Sequence, residues 1–229
     1  MAKDINASGS KVGLVLSGGG ARAAYQAGVL KAVAELLPPE TSDPFPTTCG
    51  TSAGAINALA IAGCHSSENQ RTFQSRIKKI ESIWCGLEAN NIYRSDLLGV
   101  LKNTLMMFFS IFNKNYTQKK PKALLDNTPL RRLLNELIDF EAINESINNK
   151  RITAVSITAV SYSDGKSVTF YDGEATLQPW ARSRRIGIRS KLTIDHIMAS
   201  TAIPVMFPTT RIMGSYFGDG AIQQLKPIS

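Results

Sequence analysis

The sequence predicts an α/β fold built on a parallel sheet, and three observations carry that expectation. An apolar run at residues 12–17 ends in glycines, a small-residue helical pattern follows at once, and the same strand-then-helix order returns between residues 45 and 63. Strands that alternate this closely with helices run parallel, because each helix carries the chain back before the next strand starts.

Each element follows from its residues. VGLVLS (12–17) is apolar and β-branched, as a buried parallel strand requires. Ala23, Ala27, Leu30, Ala34 and Leu37 recur at alternating steps of four and three and so share one helix face. Pro38 and Pro39 stop that helix. After PPETSDP, residues 45–49 predict a short strand, and the later part of GTSAGAINALAIAG (50–63) is apolar on nearly every side, which predicts a fully buried helix. Residues 70–150 read as mostly helical: Phe73, Ile77, Ile80 and Trp84 form one stripe across 70–87, and Leu130, Leu133, Leu134 and Leu137 another across 129–138. Residues 151–161 and 166–171, rich in Val, Ile, Thr and Tyr, flank SDG and predict two strands joined by a tight turn. LTIDHIMAST predicts a short helix before Ile203-Pro204, and RIMGSYFGDGAI a last strand that opens into a Gly-rich loop. No repeat or linker divides the chain, so residues 11–229 read as one domain behind a flexible polar tail, 1–10. The chain stops in mid-pattern ten residues after Asp219, as a fragment of something longer would.

Composition narrows the function classes. With 229 residues, 43% hydrophobic and 19% charged, the chain can bury a sizeable core and is not a disordered segment. The first ten residues, MAKDINASGS, hold no apolar h-region, so neither a signal peptide nor an N-terminal anchor is expected, and a cytoplasmic location follows as the expectation. Cys49, Cys64 and Cys85 are odd in number and lack CxxC spacing, which predicts reduced thiols rather than a disulfide framework or a zinc site. The net charge of +8 gathers in RIKK (76–79), KKPK (119–122) and RSRRIGIRSK (182–191). Such clusters are either a solvated basic face or a surface drawn peripherally to an anionic membrane. With no zinc-finger or RNP-type pattern beside them, a nucleic-acid partner is not expected.

Gly50-Thr51-Ser52-Ala53-Gly54 matches GxSxG between a strand and a buried helix, the context a nucleophile elbow needs. Gly50 and Gly54 admit a turn so tight that a Cβ at either would strike its neighbours. Ser52 then heads a helix, where free N–H groups and the helix dipole favour developing negative charge. A serine hydroxyl needs a base. The two histidines are His65, at the end of the buried helix, and His196, inside TIDHIMAS. His196 would serve in a triad with Asp164 or Asp172; its helical setting equally fits a packed or surface histidine.

Three motifs in order, Gly18-Gly19-Gly20-Ala21-Arg22, Gly50-Thr51-Ser52-Ala53-Gly54 and Asp219-Gly220-Ala221, resemble those of the patatin-like phospholipases, a family of lipid acyl hydrolases. The resemblance covers about residues 12–63 and 193–228, with Ala23 where the family usually has glycine and Gln224 standing near the family's usual asparagine. It implies a three-layer α/β/α fold with a mainly parallel central sheet. It also implies a Ser52/Asp219 dyad with no catalytic histidine, an oxyanion hole from Gly18, Gly19 and Gly20 steadied by Arg22, and neither cofactor nor metal. Phospholipid or another acyl ester is the implied substrate. A Ser-His-Asp esterase using His196 and a catalytically silent lipid-binding protein are the alternatives. Gly18, Gly20 and Ala23 also match GxGxxA, but the acidic residues nearest the dinucleotide spacing, Glu40 and Asp43, precede the next strand instead of ending it, which argues against a nucleotide site. Residues 96–112, DLLGVLKNTLMMFFSIF, are too short and interrupted for a membrane span and predict either an interfacial helix or lid, or a covered core helix.

Overall fold

A computed structural model describes residues 12–63, 72–87, 92 and 123–227. The polar tail, Cys64, His65, the basic run at 119–122 and the apolar segment 96–112 lie outside them.

The order is β1 (Gly13–Leu16), α1 (Ala23–Leu36), β2 (Thr47–Thr51), α2 (Ala53–Gly63), α3 (Phe73–Cys85), α4 (Thr128–Leu137), α5 (Phe140–Asn148), β3 (Ala154–Ser161), β4 (Ser167–Gly173), β5 (Trp180–Arg182), β6 (Arg185–Arg189), α6 (Ile194–Ser200), β7 (Thr210–Ile212) and β8 (Ser215–Asp219). The eight strands form one sheet with the path β1-β2-β3-β4-β6-β5, and β8 pairs with β3 and carries β7 on its other edge. Strands β1, β2 and β3 run parallel, as do β4 and β6, while β4 and β8 run antiparallel to β3. Helices flank this sheet, and α2 runs against its parallel part with ten of its eleven residues buried.

The core joins both sides of the chain. Leu59 from α2, Val155 and Ile157 from β3, Phe170 from β4 and Ile197 from α6 are all fully enclosed. Phe170 meets Phe217 edge-on with ring centroids 5.2 Å apart, which ties β8 to the middle of the sheet. The stripe expected on α3 buries Phe73, Ile77 and Ile80, and Thr72 caps that helix by accepting from the Ser75 N–H at 3.3 Å.

Several boundaries differ from the sequence expectations. The strand expected at 45–49 is Thr47–Thr51, two residues later, because Pro44 and Pro46 lack the N–H that a ladder needs. RIMGSYFGD is not one strand but the hairpin β7–β8: Met213 and Gly214 both take positive φ, 48° and 85°, as a two-residue turn demands. The basic run 182–191 is mostly strand. Arg185 and Arg189 stand at the two ends of β6 with Ile186, Gly187 and Ile188 between them, and Arg189 points its guanidinium at the carbonyls of Gly173, Glu174 and Leu177. Its charge therefore serves backbone acceptors, whereas Arg182 and Arg184 near the hairpin turn are exposed.

One feature of the register positions the site. The edge of β3 opposite β4 is shared by two strands: β2 covers residues 154–158 and β8 covers 159–161. Strand β2 is parallel to β3 and β8 antiparallel, so their C-terminal ends meet head-on. Thr51 lies opposite Thr158, and Asp219 lies opposite Ala159, the next residue along.

Candidate active site

Ser52 is the residue that leaves β2 at this junction. Its φ of 52° is in the left-handed region, strained for a residue with a Cβ and characteristic of a sharp strand-to-helix elbow. The turn is possible because its flanks are glycines. A Cβ on Gly50 would stand 2.6 Å from the Gly54 carbonyl oxygen and 2.7 Å from the Ala55 nitrogen, and one on Gly54 would stand 2.5 Å from the Ser17 carbonyl oxygen. Gly54 thus lets α2 press against the end of β1, which brings the 18–22 loop beside the elbow.

The Ser52 hydroxyl donates to Asp219 Oδ2 at 2.7 Å, and both side chains are buried. Asp219 Oδ1 accepts from the Ala221 N–H at 2.8 Å, so the carboxylate is held at both oxygens. Burial pushes the Asp219 carboxyl above its ordinary range, opposed by these two hydrogen bonds. Gly220 is needed because a Cβ there would meet the carbonyl carbon of Thr158 at 2.7 Å and Thr51 Cγ2 at 3.0 Å.

Ser200 is a residue the sequence reading passed over. Completely buried at the end of α6, it accepts the Ser52 N–H at 2.8 Å and donates to the Thr158 carbonyl at 2.6 Å. A serine in a small-residue run carries no signal of such a role; only the packing of α6 over β3 creates it.

In the glycine loop, residues 20–22 form a single 3₁₀ turn, and the Arg22 N–H donates to the Gly19 carbonyl at 3.1 Å. Gly20 has φ of 55°. Gly18 lies between the glycine loop and the segment after Asp219. Its N–H already donates to the Leu225 carbonyl at 3.1 Å, and a Cβ on it would stand 2.8 Å from that of Ala221. Gly18 therefore laces the loop to the segment after Asp219. Gln224 continues that lacing, accepting from the Ser167 hydroxyl at 2.8 Å.

His196 is brought elsewhere. Its Nδ1 faces the Thr193 N–H and hydroxyl as part of a helix-capping box, and its Nε2 lies 3.2 Å from the Ser190 hydroxyl. Burial lowers its pKa, and it sits edge-on to Phe170 at 4.7 Å. Both ring nitrogens are thus engaged, Nδ1 by Thr193 and Nε2 by Ser190, and the hydroxyl of Ser52 is engaged by Asp219. Cys49 and Cys85 are free thiols, and burial raises the pKa of Cys49. Among the described residues no three His, Cys, Asp or Glu side chains cluster as metal ligands, and no helix is long and apolar enough to cross a membrane.

Ser52 opens into a cavity of about 260 Å³ whose walls are almost entirely apolar, among them Ile56, Ile80, Trp84, Leu134 and Phe207. Gly20 and Ala21 form part of its rim next to the serine. The stripes of α3 and α4 that face inward thus line a space as well as a core.

The chain is 29% identical over 210 residues to a cGAMP-activated phospholipase of Pseudomonas aeruginosa (strain BWHPSA011 / Pa011), an alignment that takes in 91% of this chain and 52% of that protein. In three dimensions it is similar to VipD from Legionella pneumophila, with a TM-score of 0.52 at 16% identity over 96% of this chain and 47% of that one, a likeness of fold. The chain spans about half the length of these relatives. A family model described as patatin-like phospholipase matches residues 14–228, nearly the whole sequence and all three motifs, and the chain belongs to that family.

Proposed function

We propose that the protein is a lipid acyl hydrolase that cleaves fatty-acyl esters of phospholipids or related lipids through a Ser52/Asp219 dyad. The observation that carries this reading is the 2.7 Å hydrogen bond to the buried Asp219 carboxylate from the hydroxyl of Ser52, a residue that lines an apolar cavity. Ser52 Oγ attacks the ester carbonyl as its proton passes to Asp219. The carbonyl oxygen becomes an oxyanion facing the N–H groups of Gly19 and Gly20, and collapse expels the alcohol, which takes the proton from Asp219. Water then attacks the acyl-enzyme by the same route in reverse, giving the free fatty acid. Gly18, with its N–H committed to Leu225, holds the loop rather than the oxyanion. Label transfer from a fluorophosphonate to Ser52 tests the reading directly, since a silent lipid-binding protein takes up none.

Asp219 works as the base only when ionised, and burial raises its pKa. The acid limb of kcat/KM is therefore expected to have its midpoint above the ordinary aspartate value of about 4, with activity lost as pH falls through it. A pH profile checks this: a limb centred near 6.5 that vanishes in His196→Ala would return the role of base to histidine.

Ser200 fits the role of a positioning residue. Its hydroxyl fixes the Ser52 amide and so the strained elbow, and Ser200→Ala is expected to lower kcat by about tenfold with KM little changed, because one buried hydrogen bond contributes on the order of 1 kcal/mol. Ser200→Thr, which keeps the hydroxyl, should recover part of the loss; equal losses in both variants would point to packing alone.

A peripheral contact with an anionic membrane also belongs to this reading. Arg185 pairs with Ser167, and Ser167 with Val160 near the carboxyl end of β3, so the exposed Arg182 and Arg184 share the end of the sheet where Ser52 and Asp219 meet. Such cations favour an approach in which that end faces anionic headgroups.

A further inference from the structure

The polar chain behind the apolar cavity is not used by the chemistry above. Asn57 on α2 is completely buried, and every group of its amide is engaged. Its Oδ1 accepts the Trp84 indole N–H at 2.8 Å, while its Nδ2 donates to the Ala23 carbonyl and to Gln26 Oε1, each at 3.1 Å. Gln26 Nε2 in turn donates to the Ser17 carbonyl at 2.8 Å. An indole nitrogen can only donate, so it fixes which end of Asn57 faces it, and Asn57 then fixes the orientation of Gln26. The hydrogen bonds run in one direction from Trp84 to two backbone carbonyls. Those carbonyls belong to Ser17 and Ala23, the residues on either side of the 18–22 loop. At the other end, Trp84 and Asn57 both line the cavity that opens at Ser52, whereas Gln26 does not.

We propose that Trp84, through Asn57 and Gln26, holds the 18–22 loop in register with Ser52, and that an acyl chain lying against Trp84 firms this hold, so that these residues set the acyl-chain-length preference of turnover. The inference rests on the acyl-hydrolase reading and names positioning residues for it. An acyl chain long enough to pack on the indole restrains the ring and, through the forced orientation of the two amides, the carbonyls that anchor the loop. Contact with a remote part of the substrate is then expressed at the reacting carbonyl, which raises kcat and not affinity alone. A loop displaced by a fraction of an ångström presents its N–H groups poorly to the oxyanion, and turnover is sensitive to shifts of that size.

The test compares kcat and KM for p-nitrophenyl butyrate and p-nitrophenyl decanoate in the unaltered protein, in Trp84→Phe, which keeps a ring and deletes the N–H, in Gln26→Met, which cuts the chain away from the cavity, and in the double variant. The kcat ratio of decanoate to butyrate is expected to fall about tenfold in each single variant, with the KM ratio moving less, and the double variant should fall no further, because both act on one chain. An unmoved kcat ratio in Gln26→Met, or additive losses in the double variant, overturns the relay and leaves Trp84 as cavity wall alone. Absence of any ester turnover in the unaltered protein removes the hydrolase reading and this inference with it, an outcome separate from turnover with an unmoved ratio.

Discussion

Ser52→Ala is expected to lower hydrolysis of p-nitrophenyl acyl esters and of phospholipid vesicles by about 10⁴-fold or more, to background, and to abolish fluorophosphonate labelling. Nothing else described near the cavity replaces an oxygen that already points at a buried carboxylate. Asp219→Asn should lose about 10³-fold or more while remaining folded, because the amide is close in shape but is not a base. The loss extends to orientation: in Asp219 one oxygen takes the Ser52 hydroxyl and the other the Ala221 N–H, and an amide cannot accept at both ends. His196→Ala is the control. Its imidazole closes a helix cap with Thr193, so the variant should lose about 1 kcal/mol of stability and keep most of its activity. If His196→Ala were as inactive as Ser52→Ala with its fold intact, the dyad would be refuted in favour of a triad.

Gly50→Ala is expected to be strongly damaging, because the added methyl group meets only backbone atoms. The added carbon would sit 2.6 Å from the Gly54 carbonyl oxygen and 2.7 Å from the Ala55 nitrogen, both backbone atoms of the elbow and of a helix buried on nearly all sides. No flexible side chain can swing away, so β2 and α2 must separate. A loss of about 3 kcal/mol follows, which for a chain of this size lowers Tm by roughly 6–12 °C. Activity should fall further than stability, since the same displacement moves Ser52 away from Asp219. Gly28→Ala supplies the contrast. Gly28 lies within α1 with nothing inside 4 Å of its missing Cβ, so alanine there should stabilise by about 0.5–1 kcal/mol through helix propensity. Thermal unfolding of the two variants decides the matter; equal effects would show that the elbow relaxes where the register says it cannot.

The elements whose chemistry is local were readable in the residues alone. The glycines around Ser52 announce a turn that excludes Cβ atoms, the repeat from Ala23 to Ala34 announces a helix face, and the all-round apolar character of residues 53–63 announces a buried helix, because each depends on residues a few positions apart. The order of the three glycine-containing motifs pointed to the family, and Ser52 and Asp219 were legible as motif members. Their pairing was implied by the family resemblance alone and not by local pattern, being a bond between residues 167 positions apart that exists because β2 and β8 share one edge of β3 from opposite directions. The same long-range register turned a basic run into β5 and β6, split the last strand into a hairpin, and committed the Gly18 N–H to Leu225. Ser200, Asn57 and Gln26 were invisible for a related reason. Their neighbours in sequence give them no partner, and only packing between separate elements supplies the amide of Ser52, the indole of Trp84 and the carbonyl of Ser17 that their side chains meet. Local backbone preference wrote the elbow; tertiary register decided what faces it.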